Sequence, residues 1–288
     1  MYEILADVAV DIDRQAAANE KIKYVPMEYI IGSETRYCVE PESLETMHKY
    51  YDSLRQKVET KTSQITPYQY AECFKPYVKE HIGIMYIALS TGLSDTYHSA
   101  NMAVKMLKEE YTDVNIEIID SLSATGGMGL LTESACENRR NGMSLTENAQ
   151  WIREHRKDLN VKFIVDDLMY LKRGGRISPS TAIVGSALNI KPVLQINKEG
   201  KLDTIAKKRG KKIAMKYLVD DFEQTYDPSI GNVVYIDGAD CMADEEILKK
   251  MILDKFPDAQ VRLTSLSPII GAHTGPDMIS LIHYGMNW

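Results

Sequence analysis

Two loops rich in serine and threonine are the clearest candidates for chemistry in this sequence. Ser90–Thr96 and Asp120–Gly127 each follow a β-branched apolar stretch and precede a helical one. In open α/β sheets ligands bind beyond the carboxyl ends of the strands, and a helix N-terminus dressed with hydroxyls attracts anions. The loops therefore predict a carboxylate or phosphate site, with plain helix capping as the alternative. The candidate ligand-binding residues within them are Thr91, Gly92, Ser94 and Ser121.

Two basic segments could also meet an anion. Lys172–Ser178 reads Lys-Arg-Gly-Gly-Arg-Ile-Ser, and its glycines let the backbone turn so that both arginines face one side. Arg176 is the candidate ligand there, and solvated charges at a helix end are the alternative. Lys207–Lys212 holds five cations in six residues, which indicates either a contact for an acidic partner or a solvated turn.

A histidine near the C-terminus could complete such a site. His273 opens the sequence His-Thr-Gly-Pro, just before the last apolar stretch. A lone histidine is more often structural than functional. In a turn of this kind, however, the imidazole could lie over a crevice and donate to a bound carboxylate, with Thr274 beside it.

No familiar catalytic or cofactor motif is present. The sequence lacks a Gly-x-Ser-x-Gly turn, a P-loop, a Gly-x-Gly-x-x-Gly fingerprint and a His-Glu-x-x-His pair, and its six histidines are dispersed. We therefore predict no catalytic residue, no cofactor and no metal site. The alternative is a hydrolase or acyltransferase with Ser94 or Ser121 as nucleophile and His273 as base, which only Asp95 or Asp120 could orient.

The elements that must position these residues fall into two groups. In residues 1–157, buried-strand patterns at 84–89 and 114–120 alternate with helical patterns. That order favours an N-terminal α/β domain with a mainly parallel sheet flanked by helices. The helix predicted from Ser144 to Lys157 begins with a capping box.

The second group covers residues 158–288. The stretches 191–196 and 201–206 are joined by a turn-like linker and predict a hairpin. Helices and further strands follow, which favours a C-terminal α+β domain with a mixed or antiparallel sheet. A helix is also predicted from Ser178–Pro179 to about Leu188.

Composition excludes several classes of protein. The chain has 288 residues, of which 44% are hydrophobic and 26% charged, with a net charge of −7. These values predict an ordered two-domain protein and argue against nucleic-acid or anionic-membrane binding. No apolar run is long enough to span a membrane, no signal peptide is recognisable, and the four cysteines form no pair in sequence. We expect a soluble, cytoplasmic protein, with a monomer as the default.

The order and spacing of these segments resemble the DegV family of bacterial fatty-acid-binding proteins. The matching pieces, which span nearly the whole chain, are Lys61-Thr62-Ser63-Gln64, Ser90 to Tyr97, Ile119-Asp120-Ser121, Leu171 to Ser178, Asn189-Ile190-Lys191-Pro192 and Ala272 to Pro276. Three segments depart from the usual family pattern. Ala6-Asp7-Val8 keeps only the Asp of Thr-Asp-Ser, Asp95 replaces a glycine, and Ile65 replaces a proline.

The resemblance implies two α/β domains with a long-chain fatty acid in a tunnel between them. It implies that Thr62, Ser94 and His273 hold the carboxylate, with Ser63 next to Thr62 and Arg176 near the mouth of the pocket. Members of the family present the acid to a separate, ATP-dependent kinase subunit, so this chain would be a non-catalytic carrier. A binding module for another amphipathic anion is a further alternative. The first turn of a helix suits Asp95, but a carboxylate pointing inward would repel the ligand.

Overall fold

The computed structural model describes residues 1–178 and 189–285. A four-stranded parallel sheet, in the order β2-β1-β6-β7, forms the centre of the first half. Its strands are β1 (Tyr2–Asp7), β2 (Lys23–Val25), β6 (Gly83–Ala88) and β7 (Ile116–Asp120). Every residue of β6 is buried, as expected for a strand covered by helices on both faces.

Six helices are described in this half, and the last four of them pack against the sheet. The six helices are α1 (Arg14–Glu20), α2 (Leu44–Arg55), α3 (Pro67–Lys79), α4 (Thr96–Glu110), α5 (Thr125–Arg140) and α6 (Leu145–His155). The capping box predicted for the last of them is confirmed, because Ser144 Oγ accepts from Glu147 N while the Glu147 carboxylate accepts from Ser144 N. The parallel sheet with flanking helices is thus as predicted.

A small antiparallel sheet was not anticipated. It consists of β3 (Met27–Ile31), β4 (Glu34–Cys38) and β5 (Thr60–Thr62), in the order β4-β3-β5. The β5 strand is only three residues long, too short for a periodic signal. Its importance is positional, since it ends on Thr62.

The second half is built on a six-stranded mixed sheet in the order β10-β9-β8-β13-β11-β12. Its strands are β8 (Leu159–Ile164), β9 (Ile190–Ile196), β10 (Leu202–Arg209), β11 (Val233–Gly238), β12 (Gln260–Ser265) and β13 (Ile279–Tyr284). Only the β11–β12 pair is parallel within these described strands. The predicted hairpin corresponds to β9 and β10, and the predicted mixed sheet is confirmed.

Four helices complete the described part of this half: α7 (Leu168–Arg173), α8 (Lys211–Thr225), α9 (Met242–Leu253) and α10 (Pro268–Thr274). The sequence predicted a turn around His273, and the structure instead places this residue in α10. The Ser267–Pro268 pair that begins this helix is a recognisable start signal. The helix predicted from Ser178 to Leu188 lies outside the described residues, apart from Ser178 itself.

The hydrophobic core joins the two halves. Its larger cluster includes Tyr86 of the parallel sheet together with Phe163 and Tyr235 of the mixed sheet. A second cluster lies between the other face of the mixed sheet and the helices α8 and α9. Successive side chains of β8 point to opposite faces of the sheet, so Phe163 belongs to the first cluster and its neighbour Ile164 to the second. The predicted domain boundary after residue 157 falls between α6 and β8 and stays a prediction.

Candidate functional site

An apolar cavity of about 190 Å³ lies where the strand ends of the parallel sheet meet the mixed sheet. Aliphatic and aromatic side chains from both halves form most of its wall, including Met27, Leu89, Leu93, Phe163, Leu171, Ile196, Leu202, Ile269 and Met278. The polar side chains that also line it are Thr62, Ser63, Gln64, Ser94, Asp95, Thr125, Arg176, His273, Thr274 and Ser280. A mostly apolar cavity with a polar cluster suits an amphipathic ligand.

The polar part is organised around one hydrogen bond. Thr62 Oγ1, at the end of β5, lies 2.9 Å from His273 Nε2 in α10. Burial, and secondarily the charge of Arg176, lowers the pKa of His273 to about 4. The imidazole is therefore neutral at physiological pH and carries one N–H. With that proton on Nε2, His273 donates to Thr62, and the Thr62 hydroxyl is left to donate to a ligand.

Gly174 fixes the other side of the imidazole. His273 Nδ1 is buried and has no hydrogen-bond partner among the described residues. A Cβ at position 174 would lie only 2.2 Å from that nitrogen. Glycine is therefore required here by close packing, and the ring is held against Thr62.

The predicted loop residue Ser94 reaches the cavity. Its backbone N–H donates to Ser90 O at 2.9 Å, which turns the chain at the end of β6. Among the described residues its Oγ accepts only a long hydrogen bond, of 3.4 Å, from Thr96 N, and its hydroxyl proton has no acceptor there. Buried Asp7 anchors the start of this loop by accepting from Leu89 N at 3.1 Å. That contact gives a structural role to the Asp of the altered Ala6-Asp7-Val8 segment.

Arg176 supplies a positive charge beside these hydroxyls. Its Nε donates to Leu93 O at 3.0 Å and its Nη1 to Gly174 O, so the guanidinium is oriented by two carbonyl groups. Within the described residues no carboxylate forms a salt bridge with it. Burial lowers the pKa of this guanidinium from its usual value. A partly buried cation without a counter-ion favours an anionic ligand.

A second, polar cavity lies on the other side of the same residues. It measures about 430 Å³, and its lining includes Thr62, Arg176 and His273 together with Lys61, Arg173 and Glu59. The hydroxyl–imidazole pair therefore lies between the apolar cavity and this second cavity, which we call the outer cavity and which has more cationic than acidic lining residues. An anionic head group held there would have its apolar part inside and its charged end accessible.

Several predicted residues have their hydroxyls engaged elsewhere. Ser63 Oγ donates to Glu28 Oε1 at 2.6 Å, although the residue lines the cavity. Thr274 also lines it, but its Oγ1 donates to Ile270 O at 3.2 Å. Asp95, whose inward placement would repel an anion, has a side chain that is 64% exposed at the rim.

The structure does not bring Thr91, Gly92 and Ser121 to the wall of the apolar cavity. Thr91 Oγ1 donates to Asp120 Oδ2 at 2.7 Å. Ser121 Oγ is buried and donates to Ser123 O at 3.0 Å. Gly92 packs on the β9–β10 turn, where a Cβ would lie 2.3 Å from Gly200 O. These three residues shape the loops and do not offer donors to this cavity.

Sequence reasoning missed the wall that the second half contributes. Phe163 of β8 and Leu202 of β10 line the cavity, and nothing in a strand pattern tells which apolar residue faces a cavity and which fills the core. In the sequence, Gln64 stands out only as part of the segment Lys61-Thr62-Ser63-Gln64, which resembles the DegV family. Its Nε2 donates to Ser99 Oγ at 2.9 Å, which ties the segment after β5 to α4.

A family model described as an uncharacterised protein of the DegV family matches residues 1–285. The chain belongs to the DegV family. A DegV domain-containing protein of Clostridium perfringens is 34% identical over 284 residues, with 99% of this chain and 97% of the relative covered. A DegV domain-containing protein of Streptococcus pyogenes is 33% identical over 290 residues, with 99% of each covered.

Solved DegV structures share the fold. A fatty-acid-binding DegV protein of Thermus thermophilus has a TM-score of 0.83 at 24% identity, with 99% of each chain covered. The fatty acid kinase B3 protein of Streptococcus pneumoniae, solved with linoleic acid, has a TM-score of 0.86 at 21% identity, with 99% of this chain and all of the other covered. In the described part of the present DegV chain, no helix is both long and apolar enough to cross a bilayer.

Proposed function

We propose that this protein binds a long-chain fatty acid, with the acyl chain in the apolar cavity and the carboxylate on the hydroxyls of Thr62 and Ser94, while His273 orients Thr62 by donating to it. The observation that carries the proposal is the 2.9 Å contact between Thr62 Oγ1 and His273 Nε2 at the polar end of an otherwise apolar cavity. A buried carboxylate must be compensated by several hydrogen bonds. Two hydroxyls backed by an imidazole donor, with Arg176 nearby, provide that compensation.

The kind of ligand follows from the division of the wall. Thr62, Arg176 and His273 line both the apolar cavity and the outer one, whereas most of the remaining wall of the apolar cavity is carbon. A small hydrophilic acid would leave that carbon surface uncovered. The fatty acids described for the Thermus thermophilus and Streptococcus pneumoniae neighbours support a long acyl chain here.

The same arrangement supports presentation of the carboxylate to a separate kinase. The outer cavity, which Lys61, Arg173 and Arg176 line, would receive the phosphate group as it is transferred. Cations at that position favour the charge of an acyl phosphate. In this proposal the protein supplies binding and orientation, and the partner supplies ATP and catalysis.

The geometry favours binding over hydrolysis by this chain. Among the described residues, His273 Nε2 contacts Thr62 and its Nδ1 contacts no carboxylate, so no acid orients it as a base. Ser94 forms no hydrogen bond with His273 within the same residues. Ser121 is buried on a different loop. Hydrolysis by a catalytic triad needs a nucleophile hydrogen-bonded to a base, which in turn is hydrogen-bonded to an orienting acid. This arrangement lacks that chain of contacts.

Mass spectrometry of an organic extract of the untagged, freshly purified protein tests the proposal. We expect close to one free fatty acid per chain. A delipidated sample should take up added oleate and regain thermal stability, because a ligand that binds only the folded state raises the melting temperature. A lipid-free extract from protein that also fails to take up any of a series of fatty acids would contradict it and leave another amphipathic anion to be sought.

A further inference from the structure

A third cavity, separate from the proposed carboxylate site, opens beside the far wall of the apolar cavity. It measures about 300 Å³, and among the described residues it shares only Val161 and Ile196 with that cavity. Its lining comes from the loop after β7, the end of α6, the start of β8 and the β9–β10 turn, and includes Leu122, Arg156, Lys157, Gln195, Lys198 and Glu199. We call it the β7-loop cavity.

The β7-loop cavity has an excess of positive charge. Arg156, Lys157 and Lys198 line it, and none of them forms a salt bridge with a carboxylate among the residues described. The one acidic side chain in the lining, Glu199, already pairs with Lys201 Nζ at 2.9 Å. Three cations that face one cavity without counter-ions repel each other, and a bound anion would relieve that repulsion.

Two buried polar atoms in this lining point to a ligand with both an acceptor and a donor. Arg156 Nε and Gln195 Oε1 are each buried and lack a hydrogen-bond partner among the described residues. The guanidinium is not loose, because its Nη1 donates to Asp120 O. These two atoms have no access to solvent, so a ligand reaches them only if the side chains of Arg156 and Gln195 turn towards the cavity that both residues line. Such a turn would relieve the cost of a buried donor or acceptor left unsatisfied.

The loop that forms one wall is held in a strained conformation. Leu122 has φ +51°, in the left-handed region that a branched side chain rarely adopts. Its N–H donates to Asp120 Oδ1 at 3.0 Å, and the same carboxylate accepts from Thr91. Strain of this kind concentrates at ligand sites. This is the second hydroxyl-rich loop, whose predicted residue Ser121 does not line the proposed fatty-acid site.

We propose that the β7-loop cavity binds a small organic anion that also carries a hydrogen-bond donor. Its phosphate or carboxylate group contacts Arg156 and Lys198, and its hydroxyl or amino group donates to Gln195 Oε1. The side chains of Leu122, Val161 and Ile196 cover the carbon skeleton. The site is independent of the fatty-acid proposal, because its polar residues do not line the apolar cavity.

Nuclear magnetic resonance titration of the full ¹⁵N-labelled chain tests this site. Inorganic phosphate and glycolate serve as the two probes, so that the titrations distinguish a phosphate from a hydroxycarboxylate. We expect saturable shifts from at least one probe at the amides of Leu122, Ser123 and residues 195–199. Shifts confined to the basic segment 207–212, or no saturable shifts from either probe, would overturn the proposal.

Variants make the assignment specific. Arg156→Gln and Lys198→Glu should each weaken binding of the effective probe by about tenfold or more, as expected for loss of a charged hydrogen bond. Lys198 is exposed, so its variant tests the site even if Arg156→Gln fails to fold. Lys250→Glu makes the same charge change at an exposed position of α9 and should leave the affinity for the probe within about twofold. Equal weakening by Lys198→Glu and Lys250→Glu would show a general charge effect and overturn the site.

Discussion

Thr62 Oγ1 and His273 Nε2 lie 2.9 Å apart although 211 residues separate them in the chain. The contact joins β5 of the small antiparallel sheet to α10 of the second half. Tyr50 and Tyr51 of α2 support it by donating to Pro268 O and Leu266 O at the start of α10. The polar end of the cavity therefore depends on correct packing of both halves. A substitution at Thr62 or His273 should change the affinity for the ligand.

Replacing Thr62 by valine should weaken fatty-acid binding about 10- to 100-fold, the effect of losing one hydrogen bond to a charged group. The substitution keeps the shape of the side chain and removes only its donor. Ser94→Ala should have an effect of similar size. Titration of delipidated protein with a fluorescent fatty acid measures both. Thr112→Val, at an exposed threonine, is the matched control, and an affinity unchanged in both cavity variants would mean that the carboxylate is held elsewhere.

Gly174→Ala should weaken binding through the imidazole. The new Cβ would lie 2.2 Å from His273 Nδ1, so the ring must move away from its position beside Thr62. We expect an at least tenfold loss of fatty-acid affinity, which corresponds to about 1.4 kcal/mol or more. The loss should be comparable to that of Thr62→Val, because the same hydrogen bond is affected.

Gly142→Ala separates affinity from stability. Gly142 has φ +89° and no atom within 4 Å of an added Cβ, so alanine there is strained but distant from the cavity. It should lower the melting temperature and leave fatty-acid affinity unchanged. If Gly174→Ala behaved in the same way, Gly174 would have a structural role only.

Some of this site could be predicted from the sequence, and the reasons for the limit are physical. The strand-to-helix loop with Ser94 follows a recognisable apolar strand. Which hydroxyl of that loop faces the ligand depends on Asp120, a distant carboxylate that binds Thr91. Thr62 lies in a strand of three residues, too short for any pattern, and only the family resemblance pointed to it. The cavity wall from the mixed sheet, such as Phe163, is set by how the halves pack.

Two buried histidines should make the ligand-free protein acid-sensitive. Burial lowers the pKa of both His273 and His283 to about 4, below the value of about 6.5 expected in the unfolded chain. Their contribution to stability is therefore present above pH 6.5 and is lost as the pH falls towards 4. Each accounts for roughly 3 kcal/mol at most. Denaturant unfolding at pH 7 and pH 5 measures this loss, and His273→Gln should reduce it; an equal loss in that variant would contradict the shift.

Glu245 should act in the opposite direction. Burial, and then the nearby charge of Asp237, raises the pKa of Glu245 to about 7. The stability that the neutral carboxyl contributes is present below about pH 4.5 and is lost as the pH rises through 7. Glu245→Gln keeps the shape without the charge, so it should be more stable than the parent chain at pH 8.5 and similar at pH 5. Thermal unfolding at the two pH values measures this difference, and a variant no more stable at pH 8.5 would show that Glu245 ionises without cost.

Arg55 should contribute more to stability than an ordinary surface cation. Its guanidinium, 32% exposed, contacts Asp240 and lies 2.9 Å from Asp277 and 3.1 Å from Asp52, so it links α2 to two loops of the second half. Arg55→Met leaves three carboxylates close together without their cation and should cost about 1–2 kcal/mol, more at low salt. Lys49→Met, which removes an exposed pair on the same helix, should cost under about 0.5 kcal/mol. Denaturant unfolding at two ionic strengths compares the variants, and equal costs would mean that the link between the halves does not depend on this charge.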